Sequence, residues 1–439
     1  MISFCRRIGF YLLDGIRGGA VRHACRELKK WDHIDAHSED LRSYQENKIR
    51  ELMEHASRTT AYYAGIADMR FEDLPVINKA TIKEQQAAFL SSSYEQDSLI
   101  KMHTSGSTGT PFVSYQDRNK KKKVNAECIY YSQKAGYQVG NPLIYLRAVV
   151  KQVTKSSLKQ FIQNQPLLNC RDLSDSGIEM LLKKIADMPG RGKTLLAYAS
   201  TYDAIRAYLQ RNNCPPNPKA GVTGLLSGSE MLYDRTRQEM ERYFGCRCIS
   251  RYSNEENGIL AQDVDVNNLF LLNEAHYYIE IMKMDSNEPA PIGEIGRVVV
   301  TDLFNYAMPM IRYDTGDVGS LEIVSHAGIN HRAISNFGGR KCDMIFDAQG
   351  NLLSPHVITN LLWSFPEIRQ FQFVQQSNTV YKILIQCDDT FSREQALREA
   401  LHELLGSNAA ITVECVSEIP TLRSGKRKYI VNELPEGYV

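Results

Sequence analysis

The chain has 439 residues, of which 43% are hydrophobic and 23% are charged. This composition is typical of a globular protein with a sizeable core, and the length exceeds the size at which single cores usually split into domains. The 52 Lys and Arg nearly balance the 51 Asp and Glu, so a net charge of +1 gives no overall attraction to nucleic acid or acidic membranes. Nucleic-acid binding is therefore disfavoured, and any anion site must be local.

The N-terminal segment, residues 1–40, predicts a helical arm, with an amphipathic helix pattern over residues 2–30. Ile8 to Leu13 is apolar, but Asp14 and Arg17 interrupt the run, which argues against a signal peptide. No stretch approaches the roughly 18–20 apolar residues of a transmembrane segment. The arm could lie on a membrane surface or support a homodimer. The 10 Cys show no paired framework, which is typical of reduced thiols in a cytoplasmic protein.

The following part of the chain alternates helical and strand patterns. Helices are predicted at 44–57, 178–185, 201–212 and 232–244, and strands at 143–150, 195–199 and 221–226. Such alternation implies a mostly parallel sheet that is covered on both faces. Residues 269–304 then become rich in strand patterns, which indicates a β subdomain.

The last hundred residues or so predict a small α+β module. Helix patterns lie at 355–364 and 397–404, and strand patterns at 370–375, 379–387 and 411–416. Glycines and charges cluster at Gly338–Asp343, which suggests a boundary. We therefore expect an α/β fold: a large N-terminal domain (1–340) with parallel sheets and a β subdomain, and a small α+β C-terminal domain (341–439).

A run of four lysines, Lys120–Lys123, follows shortly after a glycine-rich segment. It is interpreted either as a solvated helix start or as a local patch that attracts phosphate or CoA.

That glycine-rich segment, His103 to Pro111, carries the strongest chemical signal and has the sequence HTSGSTGTP. Glycines let backbone N–H groups converge on an anion, and Ser and Thr hydroxyls add further donors. The segment lacks the Gly-Lys-Ser/Thr ending of a Walker A loop. Alternation resumes at once over 112–115, which favours a hairpin loop over a flexible linker. The predicted phosphate-binding residues are Thr104, Ser105, Gly106, Ser107, Thr108 and Gly109.

HTSGSTGTP resembles the phosphate loop of the adenylate-forming superfamily, and its leading His is similar to the phenylacetate–CoA ligase and CapK-like branch. Gly228-Ser229-Glu230 resembles the adenine-binding turn of that family. The segment from Tyr252 to Glu256 resembles one whose aromatic residue packs on adenine and whose final Glu binds Mg²⁺. The resemblance implies nucleotide contacts by Gly228, Ser229, Glu230, Tyr252 and Ser253, and a metal ligand at Glu256. Because Glu255 replaces the usual Thr or Ser and Ser253 the usual Gly, Glu255 is the alternative metal ligand.

Tyr313 to Asp317, with the sequence YDTGD, resembles the segment whose Asp accepts hydrogen bonds from both ribose hydroxyls, which implies that role for Asp317. A hairpin turn is the other interpretation of this segment. Gly339 to Asp343 resembles the junction before the small domain. There the resemblance implies that Arg340 reaches the nucleotide and that Asp343 is the hinge of a mobile C-terminal domain.

Ser424-Gly425-Lys426 resembles the loop whose Lys bridges the acid and the α-phosphate during adenylation. A flexible ammonium suits this role because negative charge builds where the carboxylate attacks phosphorus. The resemblance implies that Lys426 and Arg340 are catalytic, with Arg427 and Lys428 as close competitors of Lys426. It spans roughly residues 40–435, nearly the whole chain.

The resemblance implies a ligase that uses ATP and Mg²⁺ to convert a carboxylic acid to its acyl-AMP, after which CoA takes the acyl group. One alternative is a CapK-like adenylating enzyme or acyltransferase of capsule or lipopolysaccharide synthesis, with an amine, a sugar or a carrier protein as acceptor. Another is an inactive nucleotide-binding scaffold. The sequence does not identify the carboxylic acid, because the pocket that binds it is built from dispersed side chains.

Overall fold

The computed structural model describes residues 2–104, 112–147, 157–170, 172–190, 192–264, 269–340, 345–353, 355–387, 391–419 and 428–434. The chain forms two compact units. Unit 1 comprises Met1–Glu280, Val299–Thr315 and Leu321–Ser335, and unit 2 comprises Ile281–Val298, Gly316–Ser320 and Asn336–Val439. The domain division predicted at residue 340 stays a prediction.

Twelve α-helices lie within the described residues. Polar N-cap side chains begin four of them, because Ser38, Asn78, Asp117 and Ser174 accept hydrogen bonds from backbone N–H groups of the first turn. The helices are α1 (Ile2–Ile16), α2 (Ala20–Trp31), α3 (Glu39–Thr59), α4 (Lys79–Glu84), α5 (Gln86–Phe89), α6 (Arg118–Lys134), α7 (Ser157–Gln163), α8 (Asp175–Asp187), α9 (Ala199–Arg211), α10 (Asp234–Phe244), α11 (Pro355–Trp363) and α12 (Glu394–Leu405).

Nineteen strands lie in the same described ranges. They are β1 (Ile100–Thr104), β2 (Phe112–Gln116), β3 (Leu143–Arg147), β4 (Leu167–Asn169), β5 (Lys193–Tyr198), β6 (Val222–Gly228), β7 (Cys248–Asn254), β8 (Gly258–Asp263), β9 (Phe270–Leu272), β10 (Tyr277–Met282), β11 (Ile295–Asp302), β12 (Tyr313–His326), β13 (Ile329–Arg340), β14 (Ile345–Phe346), β15 (Leu352–Leu353), β16 (Ile368–Gln375), β17 (Val380–Cys387), β18 (Ala410–Cys415) and β19 (Ile430–Asn432).

Eleven strands form one mixed sheet in the order β10-β11-β12-β13-β9-β8-β7-β6-β5-β3-β4. Strands β4, β3, β5, β6 and β7 are parallel neighbours, whereas β8 pairs antiparallel with β7 and β9. The apolar faces of α8, α9 and α10 share one core cluster with this parallel part, including Ile178, Ile205, Met240 and Leu225. The predicted α/β fold class is confirmed. The periodicity of apolar residues correctly predicted where the helices and strands of this region lie.

Unit 2 contains a four-stranded sheet in the order β18-β17-β16-β19. Strand β16 is antiparallel to β17 and parallel to β19, while β17 and β18 are parallel. Apolar side chains of α11 and α12, among them Leu362 and Leu401, share a core cluster with Phe371 and Ile383 of the sheet. The predicted small α+β region is confirmed, although β19 was not among the predicted strands.

The predicted arm consists of two helices rather than one. Gly18 and Gly19, with φ angles of +89° and +68°, separate α1 from α2. Only glycine adopts these angles without strain, so the chain turns here. The carboxylate of Asp14 then accepts the backbone N–H groups of Val21 and Arg22, at 3.1 and 3.0 Å, and caps α2.

Both interpretations of the Lys120–Lys123 run are wrong for the lysines at its two ends. Lys120 is fully buried, its Nζ lying 2.7 Å from Asp302 Oδ2 and donating to the Tyr277 hydroxyl at 3.0 Å. Lys123 pairs with Glu27. The positive charges at 120 and 123 are therefore neutralised inside unit 1 and do not form a patch for phosphate or CoA.

Candidate functional site

The strands on either side of the glycine-rich segment pair with each other. Strands β1 and β2 are antiparallel, and their register brings Thr104 opposite Phe112. The two flanking strands thus pair antiparallel, as the predicted hairpin requires. The last residue of β2, Gln116, is fully buried, and its Nε2 donates to the backbone carbonyl of Glu256 at 3.0 Å.

Glu256 is the buried carboxylate beside this hairpin. Its side chain is only 2% exposed, and its Oε1 lies 2.8 Å from Lys79 Nζ and 3.3 Å from the Tyr313 hydroxyl, which donates to it. Its other oxygen, Oε2, has no hydrogen-bond partner among the described residues. Glu255, in contrast, lies exposed in the turn between β7 and β8. Of the two candidate metal ligands, only Glu256 lies among the other motif segments.

Tyr252 connects the same segment to strand β12. Its side chain is 5% exposed, and its hydroxyl donates to Thr315 Oγ1 at 3.3 Å. Asp317 follows Thr315 by two residues on β12 and is partly exposed. The interpretation of YDTGD as a hairpin turn is wrong, because β12 runs continuously from Tyr313 through Asp317, with Gly316 at a φ of +78°.

The predicted adenine-binding turn lies at the end of β6. Gly228 pairs with Arg251 of the parallel strand β7, so the turn is at the same sheet edge as Tyr252. Ser229 has a φ of +66°, which is uncommon for a residue other than glycine, and ends the strand. The carboxylate of Glu230 accepts the backbone N–H of Ser200 at 2.8 Å and caps the first turn of α9.

Three comparisons with known proteins bear on this arrangement. Residues 345–433 match the family model described as the CapK C-terminal domain. Protein CapK of Staphylococcus aureus is 21% identical over 438 residues, with coverage of 94% of this chain and 93% of that protein. The phenylacetate-coenzyme A ligase of Thermus thermophilus is 23% identical over 437 residues, with coverage of 90% and 97%.

A solved structure matches the fold over nearly the whole length. It is the crystal structure of 2-hydroxyisobutyryl-CoA ligase in the postadenylation state with R3-HIB-AMP, with a TM-score of 0.71, 13% identity and 91% of each chain covered. The predicted resemblance to the adenylate-forming superfamily, in its phenylacetate–CoA ligase and CapK-like branch, is confirmed. The relatives also support the predicted class of acyl-CoA-ligase-like enzyme.

Several site residues that the superfamily resemblance implied lie outside the described residues. These are Ser105, Gly106, Ser107, Thr108, Gly109, Asp343 and Lys426. Thr104 and Arg340 are described as the last residues of β1 and β13. The roles assigned to all of them stay predictions.

Lys79 is a residue of this candidate site that the sequence analysis missed. A β-bridge between Ile77 and Tyr313 brings Lys79 close to Glu256. Two backbone hydrogen bonds form this bridge: Ile77 N–H donates to Arg312 O at 3.0 Å, and Asp314 N–H donates to Ile77 O at 2.7 Å. The Lys79 side chain is 41% exposed, and Nζ lies 5.8 Å from the ring centroid of Phe112, the first described residue after the loop. No motif marks this lysine, which only the chain pairing brings near Glu256.

None of the described helices is long and apolar enough to cross a membrane.

Proposed function

We propose that the protein uses ATP and Mg²⁺ to adenylate a carboxylic acid, and then passes the acyl group to CoA. The observation that carries the proposal is the position of Glu256. Through Gln116 it is joined to the strand that leaves the glycine-rich loop, and through Tyr313 to the YDTGD segment. Three segments that are distant in sequence thus meet at this residue, one through its backbone carbonyl and one through its carboxylate, which is the arrangement that one nucleotide would require.

A divalent cation fits this carboxylate. A Mg²⁺ ion that bridges phosphates needs only one or two protein carboxylates and keeps several waters. The free Oε2 offers one ligand position, and the partly exposed Lys79 shows that a cation already neutralises Oε1. When bound, Mg²⁺ would supply charge neutralisation at the phosphates, with Glu256 rather than Glu255 as its protein ligand.

The other residues would hold the nucleotide and the reacting atoms. Backbone and hydroxyl donors of 104–109 would bind the departing pyrophosphate, and Asp317 would accept the ribose hydroxyls. The turn 228–230, Tyr252 and Ser253 would border the adenine. Arg340 and Lys426 would neutralise charge as the carboxylate attacks the α-phosphorus, with Asp343 as the hinge that brings domain 341–439 into place.

Two candidate functions differ in the molecule that accepts the acyl group. The Thermus thermophilus relative is named a phenylacetate-coenzyme A ligase, and 2-hydroxyisobutyryl-CoA ligase has the same fold, which favours CoA. The CapK relative and the CapK C-terminal domain favour a second candidate, an adenylating enzyme or acyltransferase of capsule or lipopolysaccharide synthesis with another acceptor. A cytoplasmic location stays a prediction in both cases.

A pyrophosphate-exchange screen over aryl, fatty, amino and hydroxy acids tests the proposal. We expect exchange of labelled pyrophosphate into ATP that depends on one class of acid and on Mg²⁺. Thioester formation on addition of CoA would then support the ligase, whereas acyl-AMP that accumulates with CoA present would support a different acceptor. An absence of exchange and of AMP release with every acid would favour the inactive scaffold.

A further inference from the structure

Helix α1 exposes an apolar face although it is firmly attached to unit 1. Phe4, Ile8, Leu12 and Ile16 follow one another at intervals of four residues, so they lie along one side of the helix. Their exposed fractions are 56%, 43%, 61% and 82%. Ile2 and Leu13 are also exposed, so α1 carries six of the twelve exposed large hydrophobic residues among those that the structure describes.

The opposite side of α1 accounts for its attachment. Phe10 and Tyr11 pack against a core cluster of unit 1. The backbone of Ser3 lies so close to Gly140 that a Cβ added there would be 2.2 Å from its carbonyl oxygen. The packing of the inner face therefore fixes the outer face in place, and the apolar outer residues serve no core of the described chain.

A second exposed apolar segment lies beside α1. The guanidinium of Arg6 donates to the backbone carbonyl of Phe161 in α7 at 3.0 Å and lies 5.0 Å from the centre of the Phe161 ring. Phe161 and Ile162 are 70% and 63% exposed. Phe161 and Ile162 thus add to the exposed apolar side chains near α1, which are more than the scattered single residues of an ordinary protein surface.

The segment that contains α1 and α2 has a net positive charge. Residues 2–31 hold seven Arg and Lys against two Asp and Glu, in a chain whose net charge is +1. The two acidic side chains have partners within the protein, because Asp14 caps α2 and Glu27 pairs with Lys123. The exposed basic residues include Arg17, Arg26, Lys29 and Lys30.

We propose that α1 lies along an anionic lipid surface, with its apolar face among the acyl chains and the exposed basic residues of segment 2–31 at the headgroups. An apolar helix face bordered by Arg and Lys is typical of helices that bind in the plane of a membrane. At 15 residues α1 is about 22 Å long, too short for a hydrocarbon core of about 30 Å, so it lies on the surface.

The positive charge argues against a second copy of the chain as the occupant of this face. A symmetric contact between two copies would bring two basic regions together without acidic partners, and like charges repel. Anionic headgroups would neutralise the same residues.

Vesicle sedimentation with the full-length protein tests the proposal without any substrate, so it is independent of the proposed adenylation. The vesicles are phosphatidylcholine alone and phosphatidylcholine mixed with phosphatidylglycerol. We expect binding to the mixed vesicles that weakens as salt is raised. The double variant Ile8→Ser/Leu12→Ser should lower the partition coefficient at least about tenfold.

The matched control is Met180→Ser/Ile292→Ser, which removes two apolar side chains of similar exposure, 57% and 63%, from other parts of the chain. It should bind like the wild type. A second variant, Arg17→Gln/Lys29→Gln, should weaken binding to the mixed vesicles only. No binding of the wild type to mixed vesicles, or an equal loss in the control, would overturn the proposal. So would a wild-type dimer in light scattering that Ile8→Ser/Leu12→Ser converts to a monomer, since a second copy would then cover the face.

Discussion

Two lysine–carboxylate pairs of unit 1 have similar distances and opposite surroundings. Lys120 and Asp302 lie 2.7 Å apart, and both side chains are 0% exposed. Lys79 and Glu256 lie 2.8 Å apart, but the lysine side chain is 41% exposed while the glutamate is 2% exposed. The first pair is closed on all sides, whereas the second is open on the side of the lysine.

The difference in exposure distinguishes an ion pair that stabilises the fold from an ion pair that a ligand can reach. Burial raises the pKa of Asp302, although the positive charge of Lys120 opposes this rise. Because a buried charge without its partner is strongly destabilising, neither residue of this pair can readily bind a different partner. The open pair can lose its lysine to solvent and accept another cation. We infer that the closed pair contributes to stability and the open pair to nucleotide binding.

The largest expected effect is on the closed pair. Lys120→Met should lower the free energy of unfolding by about 3–5 kcal/mol, because it leaves the Asp302 carboxylate buried without its cation. Urea unfolding measures this change. The control is Lys122→Met, a partly exposed lysine of the same helix, which should stay within about 0.5 kcal/mol of the wild type. An equally small change for Lys120→Met would remove the distinction between the pairs.

The next effect concerns Lys426, the lysine that we propose to neutralise charge during adenylation. Lys426→Ala should lower pyrophosphate exchange by on the order of 10²-fold or more, in the range of removing one transition-state donor, while leaving the unfolding free energy unchanged. Lys428→Ala serves as the control and should retain most of the activity. The reverse result would assign the catalytic role to Lys428.

The smallest effect is a dependence of stability on pH near the closed pair. Although desolvation opposes ionisation, a hydrogen bond with His276 and the charge of Lys123 lower the pKa of Glu27 from 4.5 to about 2. A pKa that is lower in the folded chain adds stability above about pH 4.5, and this stability is lost as the pH falls toward 2. Because Glu27 is partly accessible, we expect a contribution of only about 1–2 kcal/mol.

Urea unfolding from about pH 6 to about pH 2 measures this contribution. The wild type should lose more stability over this range than Glu27→Gln, by the amount given above. Glu46→Gln, at an exposed position of α3, should follow the wild type. Parallel curves for the wild type and Glu27→Gln would contradict the assignment.

Local sequence patterns predicted most of the secondary structure but could not predict the charge pairs. Ile178, Leu181 and Ile185 located α8 because helical periodicity depends only on near neighbours. The burial of Lys120 depends on Asp302, which is distant in sequence and belongs to another element. Four adjacent lysines therefore suggested a solvated helix start or an anion-binding patch, and the fold contradicts both at Lys120 and Lys123.

The candidate site was predictable to the extent that its segments carry recognisable motifs. Glu256 and Tyr252 were found by motif order, but the choice of Glu256 over Glu255 needed the turn between β7 and β8, which buries only one of them. Lys79 was missed because only the pairing of Ile77 with Tyr313 brings it to the site.

The most direct test of the central claim is a Mg²⁺ titration of acid-dependent pyrophosphate exchange in Glu256→Gln and Glu255→Gln. Both changes remove one charge and keep the side-chain shape. We predict that Glu256→Gln raises the Mg²⁺ concentration for half-maximal exchange by about tenfold or more, because it removes the carboxylate ligand, while Glu255→Gln stays near the wild type. Loss of exchange in Glu255→Gln with a normal titration in Glu256→Gln would contradict the account.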